Sequence, residues 1–294
     1  VSKSGLGKKT PKHTGSSTAD DPEEEERRRQ REIERKEREN RITVLRAISL
    51  RIPLMMYGAE VEDEEIGITL DNFTRIVDDA SWVEFMPKGV SKEAFNKFKK
   101  CYNSTAFVAA GKRYRQLARE ADSMHIEERM QRISEIFSYF HNPDKETVLT
   151  PWRVVNMHMS EALGGYCFFN EQFTGPNEKI IGNSENNLFD FIPTNEPRFV
   201  DRGTITKNIF GNSDAKILEI NSKTGLYPLY VTYSLYRKRK QDFEAVEGLI
   251  EDIDNYSIEE EQVIWDDILT NNIYVICNTP MARRITLRTL LGFR

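Results

Sequence analysis

The chain has 294 residues, 42 Lys and Arg against 47 Asp and Glu, a formal net charge of -5, and 38% apolar against 30% charged residues. That length allows one large or two ordinary domains and excludes a short disulfide peptide, and no stretch approaches the roughly 18 continuous apolar residues of a membrane helix. The mildly acidic balance gives no charge argument for nucleic acid, which would need local basic surfaces. Cys101, Cys167 and Cys277 lie far apart without a CxxC pair. This argues against a zinc site or a disulfide framework, fits a reducing cytoplasm, and leaves them as expected small buried apolar side chains.

In chain order, residues 1–21 carry Lys3, Lys8, Lys9 and Lys12 among Gly, Ser, Thr and Pro. With so little to bury they read as a disordered basic arm, and without an apolar h-region they are no secretory signal. Residues 22–40, PEEEERRRQREIERKEREN, predict a self-supporting solvated helix. Pro22 suits its first turn, Glu23 to Glu26 complement the dipole, and Glu23/Arg27, Glu24/Arg28, Glu25/Arg29, Glu32/Lys36 and Glu34/Arg38 fall at i,i+4. An apolar stripe starts only at Leu45, Ile48 and Ile52, so the helix is expected to dock by its C-terminal end.

From about 70 to 140 the period is helical. Phe95, Phe98 and Tyr102, then Ile126, Met130, Ile133 and Phe137, recur at 3 and 4 spacing, as core positions do. HNPD at 141–144 is a breaker, which places a domain boundary near 142: a helical part over 22–141 and a second part over 142–294. Thr150 and Pro151 read as N-cap and N1 of a helix carrying Val154, Val155, Met157, Met159 and Leu163. Residues 164–212, rich in Gly, Asn, Pro and Phe, show no sustained period. AKILEI then reads as a buried strand, NSKTG as a turn, LYPLYVTYSLYRKRK as a helix, NIYVIC as a second strand and MARRITLRTLLGF as a second helix. Strand, glycine turn, helix, strand and helix begin a parallel sheet, so the expected class is α/β with a helical N-terminal region.

The chemistry-bearing segment is KILEINSKTGLYPL, which puts Glu219 at a strand end and Gly225 six positions on, where a helix opens. In a doubly wound sheet this carboxyl-edge turn receives nucleotide-like ligands, because a residue without Cβ lets them approach the backbone. Spacing alone is equally met by an ordinary βα turn. His13, His125, His141 and His158 are scattered without an HExxH pair, and Asp266, Asp267 and the Glu259 to Glu261 run read as solvated faces, so no metal site is expected.

TPWRVVNMHM, followed about sixty residues later by ILEINSKTGLYPL, resembles the amino-methylating DNA methyltransferases of the adenine-N6 class, whose TPxxVxxxM segment precedes a DPxxGxGxL cofactor turn. The resemblance implies the start of a Rossmann-like, S-adenosylmethionine-dependent methyltransferase sheet, incomplete in this chain. It implies a cofactor site at Thr150, Pro151, Glu219, Asn221, Gly225 and Asn278, Thr150 and Pro151 standing near the methionine end of S-adenosylmethionine. Ile220 replaces the motif's proline, Asn221 a small residue and Lys223 the first glycine. After the second strand, Cys277, Asn278 and Thr279 stand where an acid usually meets the ribose, and Asn278 offers an amide oxygen without charge. By residue pattern alone, Asn278 equally reads as the cap of the last helix.

GLYPLYVTYSLYR and CNTPMARRITLRTLLGF, with RIPLMMYGA and FNKFKKCYNSTAFVAAGKRYRQ upstream, look like large bacterial restriction enzymes that fuse a nuclease and an ATP-driven helicase to an N6-adenine methyltransferase. Over residues 42–294 this implies the helical tail of the motor and its coupler, then the N-terminal part of the methyltransferase. Double-stranded DNA and the remaining domains of the same polypeptide are the implied partners. No Asn/Asp-Pro-Pro-Tyr/Phe base-binding loop and no GxxxxGK[ST] phosphate loop occur in the sequence, so no catalytic residue is assigned and this part alone is expected to be inactive. The alternative expectations are a catalytically inactive DNA- or cofactor-binding module, or a helical coupling scaffold.

Overall fold

The computed structural model describes residues 22–61, 63–141, 149–167, 193–198, 200, 204–247 and 256–293. The arm expected at 1–21 and the boundary expected near 142 lie outside these residues. The described chain is mostly helical and carries two small sheets. It divides into two compact units, Val1–Leu45 and Arg46–Arg294.

The described part of the first unit is helix α1 (Pro22–Gly58) up to residue 45. Its expected i,i+4 pairs form at Arg27–Glu23 (2.9 Å), Arg29–Glu25 (2.8 Å) and Lys36–Glu32 (2.9 Å), all on exposed side chains. Pairs this exposed each add only a little, so the segment holds itself helical by many small terms.

In the second unit, α1 continues and buries Ile48, Ile52, Met55 and Met56. The helix runs through Pro53, which cannot donate to the Ser49 carbonyl. There follow α2 (Phe73–Ile76), α3 (Asp79–Phe85), α4 (Lys92–Phe98), a 3-10 turn at Lys99–Cys101, α5 (Ser104–Ala121) and α6 (Ile126–Ser138). Asp78, Ser91 and Asn103 cap α3, α4 and α5 with their side chains. Phe73 gathers Trp82, Phe95 and Phe107 around it at 5.5–5.9 Å between ring centres, mostly edge to face. Ile126, Met130, Ile133 and Phe137 are all buried, as their spacing requires, whereas Cys101 is exposed, contrary to the expectation of a buried thiol.

The remainder comprises α7 (Trp152–Ala162), β1 (Gly165–Cys167), β2 (Pro193–Arg198), α8 (Thr204–Phe210), β3 (Ile217–Ile220), α9 (Leu226–Glu247), α10 (Ile258–Asn271), β4 (Ile273–Ile276) and α11 (Pro280–Leu291). β1 and β2 pair antiparallel. β3 and β4 pair parallel, Ile217 opposite Ile273 and Ile220 opposite Ile276, as the two apolar runs predict. Among the described residues the connection between them holds two helices, α9 and α10, rather than the single helix expected.

Helices from both sides of residue 142 pack together: α6 against α10 and α3 against α11. The carboxyl end of α1 is fixed by arginines. Arg284 Nε donates to Gly58 O (3.0 Å), and Ala59 O accepts from Arg288 (3.0 Å) and Arg115 (3.2 Å). Cations there complement the negative end of the helix dipole, and both Arg115 and Arg288 lie over the Phe293 ring. Burial, and then the neighbouring Arg115, pull the Arg288 pKa down to about 10, so it stays charged at neutral pH.

One face of the parallel pair is open. Leu218, Ile220, Tyr274 and Ile276 are 48–71% exposed, and among the described residues β3 and β4 pair only with each other. Parallel sheets usually bury both faces, and bare apolar strands with free edges associate. The protein should therefore show concentration-dependent light scattering. The pair Ile220→Lys with Ile276→Lys should reduce it while leaving the thermal midpoint within a few degrees; undiminished scattering would place the contact elsewhere.

Candidate functional site

The site grows from the carboxyl ends of β3 and β4. β3 ends at Ile220, Asn221 turns the chain with φ +66°, and Ser222 N extends the parallel ladder by donating to Ile276 O (2.9 Å). Asparagine tolerates that left-handed conformation better than most residues, which accounts for its place at the turn. The turn closes at Gly225 (φ +74°), and α9 opens at once.

Four of the six expected cofactor residues converge here. Asn278 Nδ2 donates to Asn221 Oδ1 (2.6 Å), joining the turns that follow the two strands. Glu219 lies on the half-buried face of β3, and its Oε2 is buried without a hydrogen-bond partner. Burial raises its pKa, offset in part by a hydrogen bond from the Ser222 side chain.

Gly225 is needed for a different reason than expected. A Cβ there would lie 3.1 Å from Thr286 Cα and 3.2 Å from Thr286 O, so the missing side chain makes room for the α11 backbone. Ser222 Oγ bonds Thr286 Oγ1 (3.1 Å) and seals the same contact. The space beside Gly225 is thus filled by α11 and not reserved for a ligand.

Thr150 and Pro151 stand apart. The N-cap of α7 is Pro151 and not Thr150, no side chain caps it, and the helix starts at Trp152. Val154 N and Val155 N both donate to Pro151 O, which ties the first turn through the backbone. Helix boundaries read from sequence shift by a residue or two, and here proline serves at the cap itself. No hydrogen bond among those described joins Thr150 or Pro151 to the 219–225 turn. The described link from α7 is His158 Nδ1 to Tyr227 OH (3.1 Å), two residues beyond Gly225.

Asn278 does not cap the last helix. Thr279 does, accepting from Ala282 N (3.2 Å). Thr279 Oγ1 also meets Glu84 Oε2 at 2.5 Å, while Glu84 Oε1 lies 3.9 Å from Lys223 Nζ. A carboxylate thus does reach the end of β4, but from α3, nearly two hundred residues upstream. Ser81, on the same face of α3, accepts from Met281 N (3.0 Å). No local sequence signal marks Glu84, because its role exists only once α3 docks on α11. Burial, and then the charges of Glu219 and Glu84, push the Cys277 thiol pKa up, offset in part by its hydrogen bond to Thr286.

The expectation of a solvated 259–261 run fails at one position. Glu261 is 5% exposed and accepts from Ile126 N (2.8 Å), His125 Nδ1 (3.2 Å) and Lys240 Nζ (3.1 Å), so it caps α6 from across the fold. Asp267 is exposed and pairs with Arg239.

Three described cavities, of about 300, 680 and 550 Å³, lie away from the 219–225 turn. The largest is at the amino ends of the strands, lined by Lys216, Arg239, Phe243, Val263 and Asn271, the opposite edge from the one a parallel sheet uses for ligands. Among the described residues no helix is long and apolar enough to cross a membrane, and no group of three or more His, Cys, Asp or Glu converges to hold a metal ion. Comparison with protein families, with curated proteins and with solved structures found no match for this chain.

Proposed function

We propose that this chain carries the S-adenosylmethionine-binding turn of an adenine-N6 DNA methyltransferase, coupled through its helical part to the rest of a restriction-modification polypeptide. The observation that carries the reading is the partnerless buried Oε2 of Glu219, beside a left-handed turn at the carboxyl edge of a parallel strand pair. A buried acceptor costs free energy unless a donor arrives, and a cofactor hydroxyl or amine is such a donor. Glu219 fits the group. Gly225 fits it less well, since α11 already fills the space there.

S-adenosylmethionine when bound supplies a methyl group on a good leaving group. This chain's part is binding and orientation: Glu219 accepts, and the Asn221–Asn278 bond sets the spacing of the two turns. DNA is the proposed methyl acceptor's carrier, and the adenine-presenting residues belong to other parts of the polypeptide.

Calorimetric titration with S-adenosylmethionine tests the reading. Glu219→Ala should weaken binding by roughly tenfold to more than a hundredfold, the equivalent of a charge-assisted hydrogen bond of about 1.5–3 kcal/mol. The exposed control Glu34→Ala should change nothing. Stability should move the other way. A carboxyl with a raised folded pKa destabilises the protein at pH values above that pKa, and the penalty vanishes below the unfolded value of 4.5, so Glu219→Ala should unfold no more easily than wild type at pH 7. Equal affinity for wild type and Glu219→Ala would make this an ordinary structural turn.

A second reading, a coupling scaffold without cofactor, is favoured by Lys223 in the turn and by the seam of α3 and α6 against α11 and α10. A wild-type protein that binds no S-adenosylmethionine would select it.

A further inference from the structure

The cavity of about 680 Å³ is not absorbed by the proposed function, since it opens at the amino ends of β3 and β4 and the 219–225 turn lies at their carboxyl ends. Its volume falls within the range of about 300–1,000 Å³ typical of small-molecule sites. The walls differ in character. On the helical side Phe243 of α9 and Val263 and Ile264 of α10 line it, with Phe243 48% and Val263 69% exposed, so the space has an apolar wall. On the other side the segment leading into β3 brings Asp214 and Lys216.

That segment is held by residues that satisfy one another. Asn272, fully buried, donates from Nδ2 to Ser213 O (2.7 Å) and Ala215 O (2.8 Å), and its Oδ1 accepts from Arg239 Nη2 (2.7 Å). Arg239 also pairs with Asp267, whose other oxygen accepts from Asn271 Nδ2 (2.7 Å), so these two charges cancel. Asp242 is taken by Lys238. Two charges keep capacity to spare. Among the described residues the Asp214 carboxylate has no hydrogen-bond or ion-pair partner, and Lys216 Nζ donates to Asn271 O (2.5 Å), a carbonyl without formal charge. A molecule that complements the cavity therefore carries a positive group for Asp214, a negative group for Lys216 and an apolar body for the helical wall. A plain cation or anion would answer only one of the two charges, and an apolar molecule neither.

We infer that this cavity is a binding site for a small zwitterion with an apolar side chain, the chemistry of a free hydrophobic amino acid. The ligand's ammonium meets Asp214, its carboxylate meets Lys216, and its side chain covers Phe243, Val263 and Ile264. The inference stands on this cavity and does not depend on the cofactor reading of the 219–225 turn.

Calorimetric titration with three probes tests it: phenylalanine, phenethylamine, which lacks the carboxylate, and hydrocinnamate, which lacks the amine. Phenylalanine should bind wild type most tightly, and each truncated probe about fivefold more weakly, the upper end for an exposed ion pair. Asp214→Asn should weaken phenylalanine and phenethylamine by about fivefold and leave hydrocinnamate unchanged. Lys216→Gln should do the reverse, weakening phenylalanine and hydrocinnamate and sparing phenethylamine. Val263→Ser, at an exposed position of α10, should weaken all three, and Glu34→Ala should weaken none; thermal unfolding checks that each variant is folded.

A wild-type protein that does not bind phenylalanine overturns the inference. Equal affinity for the three probes also overturns it, since the cavity would then be an apolar cleft that ignores charge. So does a loss in Asp214→Asn that falls equally on hydrocinnamate, which would mean a disturbed segment and not a lost ion pair.

Discussion

Glu261→Ala should lower the unfolding free energy by about 3 kcal/mol at pH 7, the lower end for breaking a buried ion pair. The carboxylate is 5% exposed and serves three elements at once: the first amide of α6 at Ile126, Lys240 on α9, and its own helix α10. Removing it strands the Ile126 amide in a buried place. Lys240 keeps partial access to water and the Tyr256 ring 5.2 Å away, which is why the upper end of the range is not expected. Burial by itself would raise the Glu261 pKa, but the Ile126 amide, Lys240 and the neighbouring Tyr236 together hold it below the ordinary 4.5. A depressed carboxylate stabilises the fold above its unfolded pKa, and the contribution is lost as pH falls below 4.5 and through the folded value. The gap between wild type and Glu261→Ala, read from urea unfolding, should therefore be full at pH 7 and narrow below about pH 4. A gap under about 1 kcal/mol at pH 7 would mean that α6 does not depend on this cap.

The second large effect is expected at Gly225. With φ +74°, a β-branched side chain is strained by about 1–3 kcal/mol, and the contact with the Thr286 backbone adds about 1–3 kcal/mol more, because α11 cannot yield as a flexible side chain would. Gly225→Val should thus destabilise the protein strongly, and Gly225→Ala less so, both in the absence of any ligand. Thermal unfolding of the apoprotein measures this. If Gly225→Val unfolds like wild type and loses only ligand affinity, the glycine is there for the ligand after all, and the packing of α11 against the turn is loose.

Glu219 and Gly225 together show why the glycine and the acid of a motif cannot be assigned from spacing. Glu219 and Gly225 look equivalent as motif positions, yet Glu219 has an oxygen with no protein partner, while Gly225 has its vacant side already filled by a helix that begins fifty-five residues later.

What the sequence determined by itself is local. The i,i+4 charge pairs of α1, the 3 and 4 spacing of Ile126, Met130, Ile133 and Phe137, and the apolar runs that became β3 and β4 are all set by residues within a turn or two, so their pattern is readable without the fold. The left-handed turn after β3 is likewise written in Asn221 and Gly225. What only the tertiary structure decided are contacts between residues far apart in the chain. Glu84 reaching Thr279 and Lys223, Glu261 capping α6, and three arginines closing the end of α1 each pair groups tens to hundreds of positions apart. A carboxylate in a run of acids looks solvated from sequence because solvation is its cheapest state alone; it becomes a buried cap only where folding brings an amide and an ammonium to it and offsets the cost of leaving water.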